Sequence, residues 1–366
     1  MLTQYNLKMP HAVYGGENAM DNITAIIKAR GAKKVAMFTD KGIEGAGLFA
    51  LPEEAVKASG AEYYVLDELP PEPSYMAVQK LVDEFKVSGA DLIVACGGGS
   101  VMDAAKLASV LVTDAYGVKE LLDNPGMAQK CVPIVLIPTT AGTGSEVTAA
   151  AVATDAKREL KFPVADLCLV PDAAILDPLL TCALPKSITA DTGMDAFTHA
   201  IEAYTNCFAS QKVRHYALDA MKLIHENLLS AYMDGYNLPA REHLLLGSYY
   251  AGIAFTNGYV GYVHAIAHAL GGLYHIPHGQ ACATVLPIVL ESYGSRITGK
   301  LARIAEYLFL GGQTDTEKAE AVLSRIRELE RKMDIPQAVA ELREDDIPEI
   351  AVRALREANP TYPVPV

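Results

Sequence analysis

The sequence predicts an α/β N-terminal half with a mostly parallel sheet, joined to an all-α C-terminal half. Three observations carry that reading. The chain has 366 residues, beyond the size at which one hydrophobic core usually stops growing. Its first half alternates short β-rich runs with helical stretches. Beyond "AAILDPLLTCALPKS" (173–187) only helical periodicity remains, broken at Gly and Pro. The boundary is therefore expected near Leu184 to Lys186, giving domains 1–185 and 186–366.

Four runs read as strands: "KKVAMFTD" (33–40), "AEYYVLDE" (61–68), "ADLIVACGGG" (90–99) and "VPIVLIPTT" (132–140). Each is apolar and ends in turn or polar residues. Between them, "ENAMDNITAIIKAR", "PSYMAVQKLVDEFKVSG" and "SVMDAAKLASVLVTDA" space their apolar residues as helices do. Such alternation implies parallel strands with helices on both faces, and ligands bind beyond the carboxyl ends of such strands. The tail "NPTYPVPV" (359–366) is expected to be extended.

Composition narrows the function. Apolar residues make up 51% and charged residues 20%, the balance of a folded globular chain. The net charge of -13, without any Lys/Arg cluster, argues against a nucleic acid or an anionic membrane as partner. "MLTQYNLKMPHAVYGG" lacks the pattern of a secretory signal, and no apolar run reaches 18 residues. The six cysteines, Cys96, Cys131, Cys168, Cys182, Cys207 and Cys282, form no C-x-x-C pair. Most sit in apolar runs, as buried free thiols do, so the expected location is the reducing cytoplasm.

Two glycine-rich loops follow adjacent predicted strands. "DLIVACGGGSVMDAAK" passes from strand through three glycines into a helix starting near Ser100, where free N–H groups can hold a pyrophosphate. It is not G-x-G-x-x-G, and alone it is equally well a tight turn. "IPTTAGTGSEVT" (137–148) adds hydroxyls at Thr139, Thr140, Thr143 and Ser145. Together the two loops point to a dinucleotide. Asp40, ending its strand, is placed either to accept from ribose hydroxyls and repel a 2′-phosphate, favouring NAD over NADP, or to cap the next helix.

The second half carries eight of the nine histidines, all between residues 199 and 278. "DTGMDAFTHAIEAY" sets Asp195 and His199 at i and i+4 on one helix face, and "VHAIAHAL" does the same with His264 and His268. Gly271-Gly272 should end that helix, and Pro277 suits the first turn of the next, from which His278 projects. A carboxylate and several imidazoles among uncharged neighbours suit a divalent metal with open positions: Fe(II), Zn, Mn or Co. His215, His225 and His243 read as ordinary histidines.

These motifs resemble the iron-dependent (group III) alcohol dehydrogenase family, including its lactaldehyde reductase and 1,3-propanediol dehydrogenase type members. "GGGSVMD" (97–103), "PTTAGTGSEVT" (138–148), "TGMDAFTHAIEAY" (192–204) and "HAIAHALGGLYHIPHG" (264–279) occur in that family's order, and the last is highly specific. The resemblance implies a dehydroquinate synthase-like fold with an N-terminal dinucleotide-binding domain and a helical metal-binding domain. It implies Asp195, His199, His264 and His278 as metal ligands, Fe(II) first and Zn second. His268 would lie beside the nicotinamide and Phe255 would wall the substrate pocket. Asp40, Gly98, Gly99, Ser100, Asp103, Thr139, Thr140, Thr143 and Lys161 would contact NAD. The implied reaction is hydride transfer between NAD(H) and a small primary alcohol or aldehyde, in a homodimer. One departure is "PPEPSY" (70–75), where Glu72 replaces an asparagine that the family associates with the cofactor, and the chain also ends slightly early.

Two other readings share the plan. A dehydroquinate synthase-like lyase needs basic residues for a phosphorylated substrate, yet residues 186 to 285 hold chiefly Lys186, Lys212, Arg214, Lys222 and Arg241. A glycerol dehydrogenase-like polyol dehydrogenase typically lacks one of the four ligands. Phe255, Tyr259 and Tyr262 suggest a small, weakly polar alcohol.

Overall fold

The computed structural model describes residues 7–70, 73–112, 116–155, 160–182 and 184–358. Two compact units emerge, one of residues 1–140 with 144–183, the other of 141–143 with 184–366. The short segment 141–143 groups with the helical unit, where the place of a Cβ on Gly142 is 2.7 Å from Thr192 Cβ.

The first unit runs β1 (Ala12–Gly15), α1 (Asp21–Arg30), β2 (Lys34–Phe38), α2 (Lys41–Gly45), α3 (Ala50–Ser59), β3 (Glu62–Leu66), α4 (Tyr75–Ser88), β4 (Leu92–Gly97), α5 (Gly99–Val110), α6 (Val118–Asp123), β5 (Ile134–Pro138), β6 (Ala150–Asp155), β7 (Leu160–Ala165) and β8 (Ala173–Leu176). Six strands form one sheet in the order β1-β8-β5-β4-β2-β3, every neighbouring pair parallel. Alternate residues feed two cores. Ala36, Phe38, Ile93 and Ala95 join the core with Phe85 and Leu107, while Val35, Met37, Val94 and Cys96 join the one with Ile23 and Ile27. Burial on both faces explains why these strands read as unbroken apolar runs.

The order of strands locates the binding edge. The chain steps outward from β2 to β3, then returns past β2 to lay down β4, β5 and β8. The switch point therefore lies between β2 and β4, where parallel α/β sheets open a crevice beyond the strand ends.

The second unit contains α7 (Lys186–Thr205), α8 (Gln211–Met233), α9 (Leu238–Gly258), α10 (Tyr262–Tyr274), α11 (His278–Tyr293), α12 (Thr298–Tyr307), α13 (Asp315–Lys332) and α14 (Ile347–Ala358), with no strand among the described residues. α7 is buried at almost every position from Thr189 to Thr205, and it packs on α8, α9 and α11. Ser210 and Asn237 cap α8 and α9, and Thr314 with Glu317 forms a capping box on α13. Among the described residues, no helix is long and apolar enough to cross a membrane.

Four details differ from the sequence reading. β1, β8 and the antiparallel β6–β7 hairpin are strands that it did not pick out. α10 does not end at Gly271-Gly272; it continues to Tyr274 and closes on left-handed His275 (φ 55°), whose N–H donates to the Gly271 carbonyl at 3.1 Å. An interior glycine costs only about 1 kcal/mol against alanine, too little to stop a well-packed helix. Pro277 sits at the N-cap of α11, one place before the first turn. Of the six cysteines, all free, Cys131 and Cys207 are exposed. The tail at 359–366, and Glu72, lie outside the described residues.

Candidate active site

α7, α10 and α11 bring one carboxylate and several imidazoles together. Asp195 Oδ1 lies 3.5 Å from His264 Nε2 and 3.6 Å from His278 Nε2. Donors bound about 2.1 Å from one tetrahedral ion stand roughly 3.4 Å apart, so this spacing is that of a ligand set. Cys282, one turn after His278, adds a donor: its Sγ is 3.7 Å from His278 Nε2, and one atom from each of these four residues falls within 4.8 Å of the others. His199 stands at the rim of the group, its Nδ1 3.9 Å from Asp195 Oδ2. Its ring is stacked between Phe255 (4.2 Å between centroids) and His264 (4.3 Å).

Asp195 Oδ1, His199 Nδ1 and His264 Nε2 are all buried without a hydrogen-bond partner. An unpaired buried polar atom costs roughly 1–3 kcal/mol, and three converging ones would be hard to retain unless a cation satisfied them. The residues present therefore fit a divalent metal. Burial alone would raise the Asp195 carboxyl, yet His199, His278 and His264 hold it below the usual carboxylate range. Burial pushes His199 down to about 3, leaving a neutral imidazole able to donate a lone pair. The Cys282 thiol is pushed up to about 12 by its burial.

His268, one turn after His264, is stacked on His278 at 5.1 Å, with its Nδ1 2.7 Å from Glu357 Oε1 on α14. A carboxylate only accepts, so Nδ1–H is the donor in this contact and Nε2 is turned away from Glu357. Of the aromatic trio, Phe255 stacks on His199. Tyr262 is buried with its ring near Tyr293, and Tyr259 is exposed against Phe208. His215, His225 and His243 meet Asp219, Arg325 and Asn227 instead.

The expected cofactor residues of the first unit gather at the switch point. Phe38 pairs with Ala95 and Gly97 with Pro138, so Asp40, the Gly98–Ser100 turn and Thr139–Thr140 follow the carboxyl ends of adjacent strands. The Thr139 N–H donates to the Gly97 carbonyl at 3.1 Å, joining the two loops. Gly98, the N-cap of α5, offers no side chain to that helix start, and the place of its missing Cβ opens onto free space. An uncapped helix start beside open space fits a pyrophosphate. Gly97 has a different reason to be glycine: a Cβ there would lie 2.6 Å from Val101 Cβ.

Two of these residues have internal duties. Asp40 caps α2, its Oδ1 accepting from the Gly42 and Ile43 N–H groups at 2.8 and 3.0 Å. Asp103 accepts from the Ser145 hydroxyl (2.6 Å) and the Val152 N–H (2.9 Å), bracing α5 against β6. Thr143 belongs to the segment grouped with the helical unit, and the Lys161 side chain lies outside the described residues.

Comparison with known proteins decides the family. The profile for iron-containing alcohol dehydrogenases matches residues 10–178, and that for the C-terminal part of the Fe-containing alcohol dehydrogenase family matches 189–365. The chain belongs to the iron-containing alcohol dehydrogenase family. It is 37% identical over 368 residues to the 1,3-propanediol dehydrogenase of Citrobacter freundii, covering 97% of this chain and 93% of that one. It is 35% identical over 356 residues to the NAD-dependent methanol dehydrogenase of Bacillus methanolicus, covering 96% and 93%. Among solved structures, an alcohol dehydrogenase from Oenococcus oeni superposes with a TM-score of 0.94 at 31% identity, covering 99% and 96%. This iron-containing alcohol dehydrogenase thus has the expected α/β and all-helical architecture, and the reading as an alcohol dehydrogenase holds over the polyol dehydrogenase and lyase alternatives.

Three residues at the site escaped the sequence reading: Cys282, Glu202 and Glu357. The first two carried a signal, since Cys282 stands at i+4 from His278 and Glu202 at i+7 from Asp195, positions that share a helix face. Glu357, 89 positions beyond His268, carried none.

Proposed function

We propose that this enzyme interconverts small primary alcohols and aldehydes with NAD(H), holding one divalent metal, Fe(II) before Zn, on Asp195, His199, His264 and His278. The observation that carries the proposal is the convergence of three buried, partnerless donor atoms, one each from Asp195, His199 and His264. Bound there, a divalent metal supplies Lewis acidity to the alcohol or carbonyl oxygen, and the nicotinamide supplies or takes up the hydride. Phe255 keeps His199 in place and presents an apolar wall suited to a short carbon chain. His268, its Nδ1–H given to Glu357, offers Nε2 to take the alcohol proton, and returns it when an aldehyde is reduced.

The Gly98–Ser100 turn would hold the pyrophosphate, Thr139 and Thr140 flank it, and Thr143 and Lys161 complete the contacts. Asp40 disfavours a 2′-phosphate, which selects NAD over NADP. Asp103 acts by fixing α5. A cytoplasmic homodimer is the working form. Relatives named for methanol and 1,3-propanediol support a substrate range of short, weakly polar alcohols. The test follows NADH oxidation with short aldehydes after chelation and after readdition of Fe(II) or Zn. Activity that vanishes and returns with the metal, with NADH well above NADPH, is expected. Full turnover in metal-free protein would overturn the proposal.

A further inference from the structure

α10, which carries His264 and His268, begins at Gly261 with no side chain of its own to cap it. The first N–H groups of a helix need partners, and buried ones need them most. Here the partner comes from α7. Glu202 is buried (4% exposed), and its Oε1 accepts from the Val263 N–H at 2.8 Å. Its Oε2 lies 2.5 Å from His264 Nδ1 and 3.4 Å from the His264 N–H. Gly261 makes this approach feasible, because a Cβ there would collide with Glu202 Oε1.

We infer that Glu202 is a positioning residue that caps α10 and fixes the tautomer of His264, so that Nε2 alone is left for the metal. A carboxylate has no proton to give, so the short contact requires Nδ1 to donate. Nε2 is then the ring nitrogen turned toward the metal ligands, 3.5 Å from Asp195 Oδ1 and without a hydrogen bond. One face of α7 thus does two jobs: Asp195 and His199 supply donors, and Glu202, two turns after Asp195, orients a third donor on a neighbouring helix. The inference rests on the metal reading above.

Glu202→Gln separates this role from a merely structural one. The amide oxygen still accepts from Val263, so the cap survives. Its NH2 then faces His264 Nδ1, which must accept, and the proton moves to Nε2, where it blocks coordination. Nitrogen-15 spectra of histidine-labelled protein should show a proton held on His264 Nδ1 in wild type and absent from Nδ1 in the variant. Competition against a chelator should show iron or zinc binding weakened about 10–100-fold, with the thermal midpoint of the metal-free protein close to wild type. Gly261→Ala, which displaces the carboxylate without removing it, should weaken metal binding in the same direction. A Glu202→Gln protein with the wild-type tautomer and wild-type metal affinity overturns the inference while the metal site stands. Wild-type protein that binds neither metal overturns both.

Discussion

Gly279, the second residue of α11, sits against the backbone of α7 one turn before Asp195. A Cβ placed there would overlap the Asp191 carbonyl oxygen, lie 2.6 Å from Asp191 C and meet Asp191 Cβ at 3.1 Å. Ordinary carbon contacts need roughly 3.5 Å, so Gly279→Ala must part the two helices by about 1 Å. The obstacle is backbone and cannot swing aside. The 3.6 Å between Asp195 Oδ1 and His278 Nε2 would open to about 4.6 Å, too wide for both to reach one ion at ~2.1 Å. Overpacking should cost about 1–3 kcal/mol, partly offset by the better helix propensity of alanine. Misplacing the reacting groups by that much should lower turnover on the order of 100-fold. Urea unfolding of metal-free protein, metal analysis after dialysis and NADH oxidation read the three effects. A Gly279→Ala enzyme with wild-type stability, full metal and full turnover would refute the claim that α7 and α11 are set by this contact.

Four further substitutions test other parts of the account. His199→Ala should lose most bound metal, whereas Cys282→Ser should retain it, as metal-to-protein ratios will show; the opposite pattern would exchange their roles. Asp40→Ala should cost about 1 kcal/mol of stability by uncapping α2, and should narrow the preference for NADH over NADPH in steady-state assays. Glu330, 1% exposed with Oε1 unpartnered, has its carboxyl pushed up to about 7 by burial. A raised folded value means that the stabilisation is complete below about pH 4.5 and is lost as pH rises through 7. Glu330→Gln should therefore match wild type near pH 5 and exceed it by up to roughly 3 kcal/mol at pH 8 in denaturant unfolding.

The parallel sheet was legible because β2, β4 and β5 are buried on both faces, and a short run that stays apolar at odd and even positions alike is what such a strand requires. β1 and β8 were not, since Ala12–Gly15 and Ala173–Leu176 are too short to show a period. The β6–β7 hairpin was hidden in alanine-rich sequence whose pairing is a tertiary matter. The helix end at Gly271-Gly272 failed because packing outweighed propensity. At the site, i and i+4 spacing found Asp195 with His199, but spacing alone left open which of His264, His268 and His278 bind metal; only the family resemblance chose. Asp40 illustrates a residue open to two readings: its carboxylate caps α2, and a strand end is also where a ribose hydroxyl would be met. Asp103 came from the family resemblance alone, and its oxygens accept from the Ser145 hydroxyl and from the Val152 N–H of β6.

The central claim is that one metal ion joins α7, α10 and α11. Crystals of iron-reconstituted enzyme, measured on both sides of the iron absorption edge, test it most directly. A single anomalous peak is expected at bonding distance, roughly 2.0–2.3 Å, from Asp195, His199, His264 and His278. A peak elsewhere, or none while these side chains keep their present spacing, would contradict it.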